Sequence, residues 1–175
     1  MREPRRGAPG PFPAYPLLRR VVPVEPAEVR GLLWSATYFF FLLAGYYLLR
    51  PVRDAFGAED RSHLSSLFLG TLGGTLVTNP LFSAIVARFP RRKFLPAVYH
   101  FFAANLVVLY LLLASPSGRT ATWAGRAFFV WLSVFNMFVV SVFWGFMADL
   151  FRSGQGKRLF SFIAAGGTLG AIAGS

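Results

Sequence analysis

Tyr46, Arg50 and Arg53 recur at i, i+4 and i+7 near the end of an apolar run, and Asp54 follows directly. On one continuous helix that spacing stacks the three side chains on a single face. It also makes Arg50 and Asp54 i, i+4 neighbours. A guanidinium is permanently charged, and its planar fork matches the paired oxygens of carboxylate or phosphate. Two of them on one face describe an anion site. Pro51 lacks a backbone donor and crowds the preceding turn, which predicts a bend or a helix end here. An arginine at a bilayer centre costs about 2.5–3.5 kcal/mol on insertion scales and much less at the edge. Two arrangements meet that cost. One is a cluster lining a water-filled cavity that binds an anion. The other is a pair snorkelling to the interface, satisfied by Asp54 and lipid head groups.

Other polar groups interrupt the apolar runs. Asn79 precedes Pro80, so it either lines a pathway at a broken helix or sits beside a packing face built on Gly70 and Gly74. Asn136, Arg126, His100 and Asn105 are further candidates, because intramembrane polar groups default to functional ones. His63 falls in a loop with no second ligand at metal spacing, so no metal site is expected. With no Cys there is no thiolate ligand, nucleophile or disulfide. Gly154-Gln155-Gly156-Lys157 reads as a turn without P-loop spacing, which argues against ATP hydrolysis. No cofactor motif occurs, and an enzyme is not expected.

The elements that must position these groups are apolar helices. Hydrophobic residues make up 55% of the chain and charged ones 14%, and mean hydropathy is +0.52. A soluble domain is closer to a quarter charged, so lipid is the expected solvent. Spans are predicted over 31–49, 64–87, 94–114, 123–147 and 159–175, the last incomplete, each near the roughly 20 residues that cross about 30 Å. Residues 1–30 hold seven of the 12 prolines and six arginines, a basic tail with no fold of its own. Within it, Glu25, Pro26 and Glu28 resemble a helix start. In the last segment Gly166, Gly170 and Gly174 form two overlapping GxxxG repeats suited to tight helix contact.

Charge sets the expected orientation. Thirteen of the 18 basic residues fall in the tail and in the segments after the second and fourth runs; Arg50, Arg53, Arg61, Arg119 and Arg126 fall on the other side. The positive-inside rule then places the N-terminus in the cytoplasm of a multi-pass protein of the cell (inner) membrane. The net charge of +11 is accounted for by this bias and by anionic head groups, and nucleic acid is not an expected partner. The run ending at Ser175 lacks a polar flank, which is expected of the N-terminal part of a longer protein or of a truncated product.

Two stretches resemble the major facilitator superfamily and, within it, the nucleotide (ATP/ADP exchange) translocase-like family. One is Tyr46-Tyr47-Leu48-Leu49-Arg50-Pro51-Val52-Arg53-Asp54. The other is Val142-Phe143-Trp144-Gly145-Phe146-Met147-Ala148-Asp149-Leu150-Phe151, followed by Gln155, Lys157-Arg158 and the glycine-rich run. The resemblance covers about residues 25–175. It implies the N-terminal half of a transporter of two six-helix halves with a central cavity, and it gives Arg53 the place of a basic residue implicated in nucleotide binding. The fourth run has no acidic residue before Phe143-Trp144, where nucleotide carriers have a functional glutamate; Leu132 lies near that position, and Ala87 stands where the superfamily's basic loop has aspartate.

The expected function is secondary transport by alternating access of an organic anion, ATP/ADP among the candidates, with Arg50, Arg53, Asp54, Tyr46, Asn79 and Asn136 as binding residues. The expected partners are the lipid bilayer, the anion, and either a C-terminal half or a second membrane protein. The alternative is a scaffold or regulator that keeps a transporter fold without transport, motivated by the missing acid near Leu132.

Overall fold

The computed structural model describes residues 24–88, 91–114, 117–151 and 153–175. Residues 1–23, which hold most of the basic tail, and residues 89–90, 115–116 and 152 lie outside the described residues. Five α-helices follow in order: α1 (Val29–Glu59), α2 (Leu64–Arg88), α3 (Arg91–Leu113), α4 (Gly118–Leu150) and α5 (Ser153–Gly174). A 3-10 turn, Arg61–His63, separates α1 from α2. The described residues contain no strand.

The start of α1 follows from Glu25-Pro26-Ala27-Glu28. The Glu25 N–H donates to Glu28 Oε2 at 2.9 Å and the Glu28 N–H to the Glu25 carbonyl at 2.9 Å, closing a turn that leads directly into α1. The other Glu28 oxygen, Oε1, accepts from Arg158 Nη2 at 3.1 Å. One buried carboxylate thus closes that turn and holds the first turns of α5.

Two boundaries differ from expectation. α1 does not end near Pro51 but runs 31 residues through it, whereas α2 runs through Pro80 as the predicted 64–87 span does. An interior proline removes one backbone bond. Here side chains on both sides of Pro51 are held by other helices, so the helix persists. α5 begins at Ser153 rather than near Leu159, so Gly154-Gln155-Gly156-Lys157 is helical and not a turn. Arg158 Nε donates back to the Gly154 carbonyl at 3.3 Å. The Phe160 ring lies within 3.1 Å of where a Gly156 Cβ would stand.

The chain packs as two units, one of residues up to Gly45 with Met147–Ser175, the other Tyr46–Phe146. The first is a pairing of α1 with α5. Ideal Cβ atoms on Gly166, Gly170 and Gly174 would run into the carbonyl oxygens of Ala36, Phe40 and Ala44. Both series advance by four residues, so the two GxxxG repeats lie along one ridge of α1 with backbone against backbone. Leu32, Leu159 and Ile163 are fully buried in this unit.

In the second unit α4 is met on three sides. Val130 and Val134 fill the spaces left by Gly70 and Gly74 of α2, at 3.2 and 2.9 Å from the ideal Cβ positions. Phe129 lies at 2.8 Å from the Gly57 position on α1, and Phe56 of α1 at 2.8 Å from the Gly125 position. Phe102 of α3 faces Trp131, Phe135 and Phe138, with centroids 5.8, 4.5 and 5.5 Å away. Tyr46, Leu109, Phe128 and Leu132 form the buried centre.

Val29–Glu59 and Gly118–Leu150 are long and apolar enough to cross a membrane; Val98–Leu113 and Arg158–Gly174 are shorter apolar helices. Large apolar side chains also stand outward, among them Trp34, Phe41, Leu48, Leu69, Leu76 and Ile172.

Gly170→Ala sets a methyl group against the Phe40 backbone, which no rotamer change relieves. An overpacking cost of about 1–3 kcal/mol is expected. Gly73 has nothing within 4 Å, so Gly73→Ala is expected to be neutral or to stabilise by up to ~1 kcal/mol through helix propensity. Thermal unfolding of the two variants in detergent checks the contrast. Equal midpoints would contradict it.

Candidate functional site

Helix α1 carries the arginines to the site because it continues past Pro51. Arg53 Nε and Nη2 both donate to Asp54 Oδ1, at 2.9 and 2.5 Å. Its third nitrogen, Nη1, donates to Ser133 Oγ on α4 at 3.3 Å. The Phe129 ring, also on α4, lies 5.4 Å from the guanidinium carbon and adds a cation–π contact. Arg50 reaches the other Asp54 oxygen at 3.6 Å, beyond good hydrogen-bond length. Its guanidinium carbon stands 5.4 Å over the Tyr47 ring. The Arg50 side chain is 45% exposed and that of Arg53 19%, so Arg50 is the accessible cation and Arg53 the anchored one.

The structure joins Arg50, Arg53 and Asp54 and adds Ser133, which the sequence reading passed over. Ser133 is a plain hydroxyl within an apolar run, and its Oγ also donates to the Phe129 carbonyl at 2.8 Å. Nothing in the sequence marks it as facing an arginine 80 positions earlier. Tyr46 is placed differently from expectation. It does share a helix face with Arg53, but that face is where α1 packs on α4. Tyr46 is 8% exposed and lies with Leu109, Phe128 and Leu132, inside the core rather than on a cavity wall. Asn79 stands exposed on α2 and Asn136 half-buried on α4.

A second polar cluster lies at the C-terminal end of α1. Arg126 Nε on α4 donates to Asp60 Oδ2 at 2.6 Å. His63 Nδ1 lies 2.8 Å from Asp60 Oδ1 and 3.0 Å from Arg126 Nη2. These two bonds exclude one another, since Nδ1 donates to the carboxylate only when protonated and accepts from Arg126 only when not. The Trp123 ring, 4.9 Å from the Arg126 guanidinium carbon, covers its other side. The 3-10 turn brings Asp60 and His63 together, and no sequence signal links them to a residue 66 positions on. Their role is to tie the end of α1 to α4.

One donor has no acceptor. The indole N–H of Trp131 is buried without a hydrogen-bond partner among the described residues, between rings that stack at 5.2 Å (Phe135) and 6.3 Å (Phe128). Among the described residues no group of His, Asp or Glu is arranged to hold a metal ion.

No protein-family model, curated protein or solved structure matches this chain.

The hydrogen bond from Arg126, opposed by partial burial and helped by His63, holds the Asp60 carboxyl below its ordinary value of 3.8. A depressed carboxylate stabilises the fold above its unfolded value, and that contribution is lost as pH falls through the folded one. Asp60→Asn is therefore expected to lower the unfolding midpoint at neutral pH. The wild-type and variant curves should converge as the pH falls below 3.8. A constant gap across the titration would mean that the pair contributes no proton-linked stability.

Proposed function

We propose that this chain is a multi-pass protein of the cell (inner) membrane and part of a secondary transporter that carries an organic anion by alternating access. In this reading all five helices cross the bilayer, the shorter ones included, and the N-terminus is cytoplasmic. The chain resembles the N-terminal half of a major-facilitator-type carrier of the nucleotide translocase-like family, and ATP/ADP are the first solutes to test. The outward apolar side chains of α1, α2, α3 and α5 support a lipid environment, because exposed patches of that size are unfavourable in water. The second half of the pathway is supplied by further helices, in a longer chain or in a partner.

The observation that carries the anion reading is the Arg53 fork seated on a carboxylate, with Arg50 beside it. The Asp54 carboxylate has the chemistry of the proposed cargo, so it stands in for the anion's own oxygens. The cluster holds two fixed positive charges against one negative, an imbalance that an incoming anion satisfies.

A scaffold or regulatory protein is the second reading. It is favoured by Leu132, fully buried near the position where an acidic group is expected of nucleotide carriers, and by the engagement of Arg53 and Arg126 with acidic partners of the same chain.

Exchange of radiolabelled ATP, ADP and small dicarboxylates across proteoliposomes separates the two. Arg53→Ala removes charge-assisted hydrogen bonds worth about 1.5–3 kcal/mol, so transport is expected to fall by roughly 10- to 150-fold. Unchanged transport would make Arg53 an interfacial anchor. No movement of any phosphorylated or carboxylated solute, with a protein partner recovered from the membrane, would favour the scaffold.

A further inference from the structure

We infer that Asp54 is an internal competitor for the anion site: its carboxylate occupies the Arg53 fork that an incoming anion needs. Binding and the Asp54–Arg53 pair then exclude one another. This rests on the anion reading above and specifies how that site is regulated. A guanidinium has two edges that can fork a carboxylate or phosphate, Nε/Nη2 and Nη1/Nη2, so both must be engaged for the site to be closed to an incoming anion. The Nε/Nη2 edge of Arg53 is taken by Asp54 at 2.9 and 2.5 Å. Its Nη1 is turned to Ser133, and Phe129 lies against its face.

The geometry also makes Asp54 displaceable. Its side chain is 50% exposed, and ion pairs this accessible to solvent are worth about 0–1 kcal/mol. Arg50 waits on the opposite oxygen at 3.6 Å, so a carboxylate that leaves Arg53 still has a cation at hand. Asp54 also sets the charge that the site presents. With the carboxylate in place the three side chains sum to one positive charge, and without it to two. A multiply charged anion gains more from its removal than a singly charged one.

The test is binding of radiolabelled ATP, and of acetate as a singly charged probe, to the full chain in nanodiscs. Wild type is compared with Asp54→Asn, Arg53→Gln, the double variant and Glu59→Gln, which removes an equal charge from the same helix away from Arg53. The half-exposed position of Asp54 makes the asparagine variant compatible with folding. Asp54→Asn is expected to tighten ATP binding roughly tenfold, equivalent to 1.4 kcal/mol, and acetate less. The gain is expected to vanish in the Arg53→Gln background. Binding by Asp54→Asn but not by wild type also supports the proposal. Equal or weaker binding by Asp54→Asn overturns it, and if Arg53→Gln still abolishes binding the anion reading survives. A gain that persists without Arg53, or that Glu59→Gln reproduces, overturns it in favour of general charge repulsion. Absence of binding in all five proteins removes the anion reading and the competition together.

Discussion

Both packed units depend on helix backbones coming closer than ordinary side chains allow. In one, the carbonyls of Ala36, Phe40 and Ala44 lie against Gly166, Gly170 and Gly174. In the other, valines and phenylalanines of α4 enter the spaces at Gly57, Gly70 and Gly74. Helices as apolar as these gain little from burying one another when the alternative solvent is hydrocarbon. What remains is dispersion, which falls steeply with separation. On the proposed membrane reading, close approach at glycine replaces the hydrophobic effect as the force that orders each unit, and the outward-facing leucine, phenylalanine and valine would face lipid.

That arrangement decides where charge can go. α4 packs against α1, α2 and α3, so a charged group facing it must be satisfied by other groups of the chain. Arg53 turns to Asp54 and Ser133, and Arg126 to Asp60 and His63. These groups follow one another along the contact of α1 with α4, with the phenylalanines of α4 between them. Arg126 and Asp60 are mostly buried, so removing one leaves the other poorly compensated, whereas half-exposed Asp54 can be lost at little cost. The arginines thus serve packing as well as any ligand. Arg50 alone of the three is both close to an acid and largely accessible.

Much of the helical framework was legible in the sequence. Apolar runs bounded by Pro, Gly and basic residues located the five described helices, Glu25-Pro26-Glu28 marked the hydrogen-bonded turn that leads into α1, and the four-residue glycine spacings marked real contacts. The failures have physical causes. Pro51 was read as a bend or an end because the rule describes an isolated helix, whereas here flanking side chains are held by neighbouring helices; Pro80 falls inside a helix, as the 64–87 run indicated. Tyr46 was grouped with the arginines by periodicity, which reports a shared face but not what covers that face. Asp60, His63 and Ser133 are tertiary partners of residues 63 to 80 positions away, a relation no local pattern encodes.

The central claim is that these helices thread a bilayer in alternation, with the basic segments inside. The chain contains no cysteine, so single reporters can be introduced without background. Gly118 and Gly154, at the first turns of α4 and α5, have nothing within 4 Å of an added Cβ, which makes both safe positions. Labelling of Gly118→Cys and Gly154→Cys by a membrane-impermeant maleimide on intact cells is the most direct measurement. Threading with a cytoplasmic N-terminus requires Gly118→Cys to react from outside and Gly154→Cys to react only after permeabilisation. Equal reactivity of the two sites, or the reverse order, would contradict it.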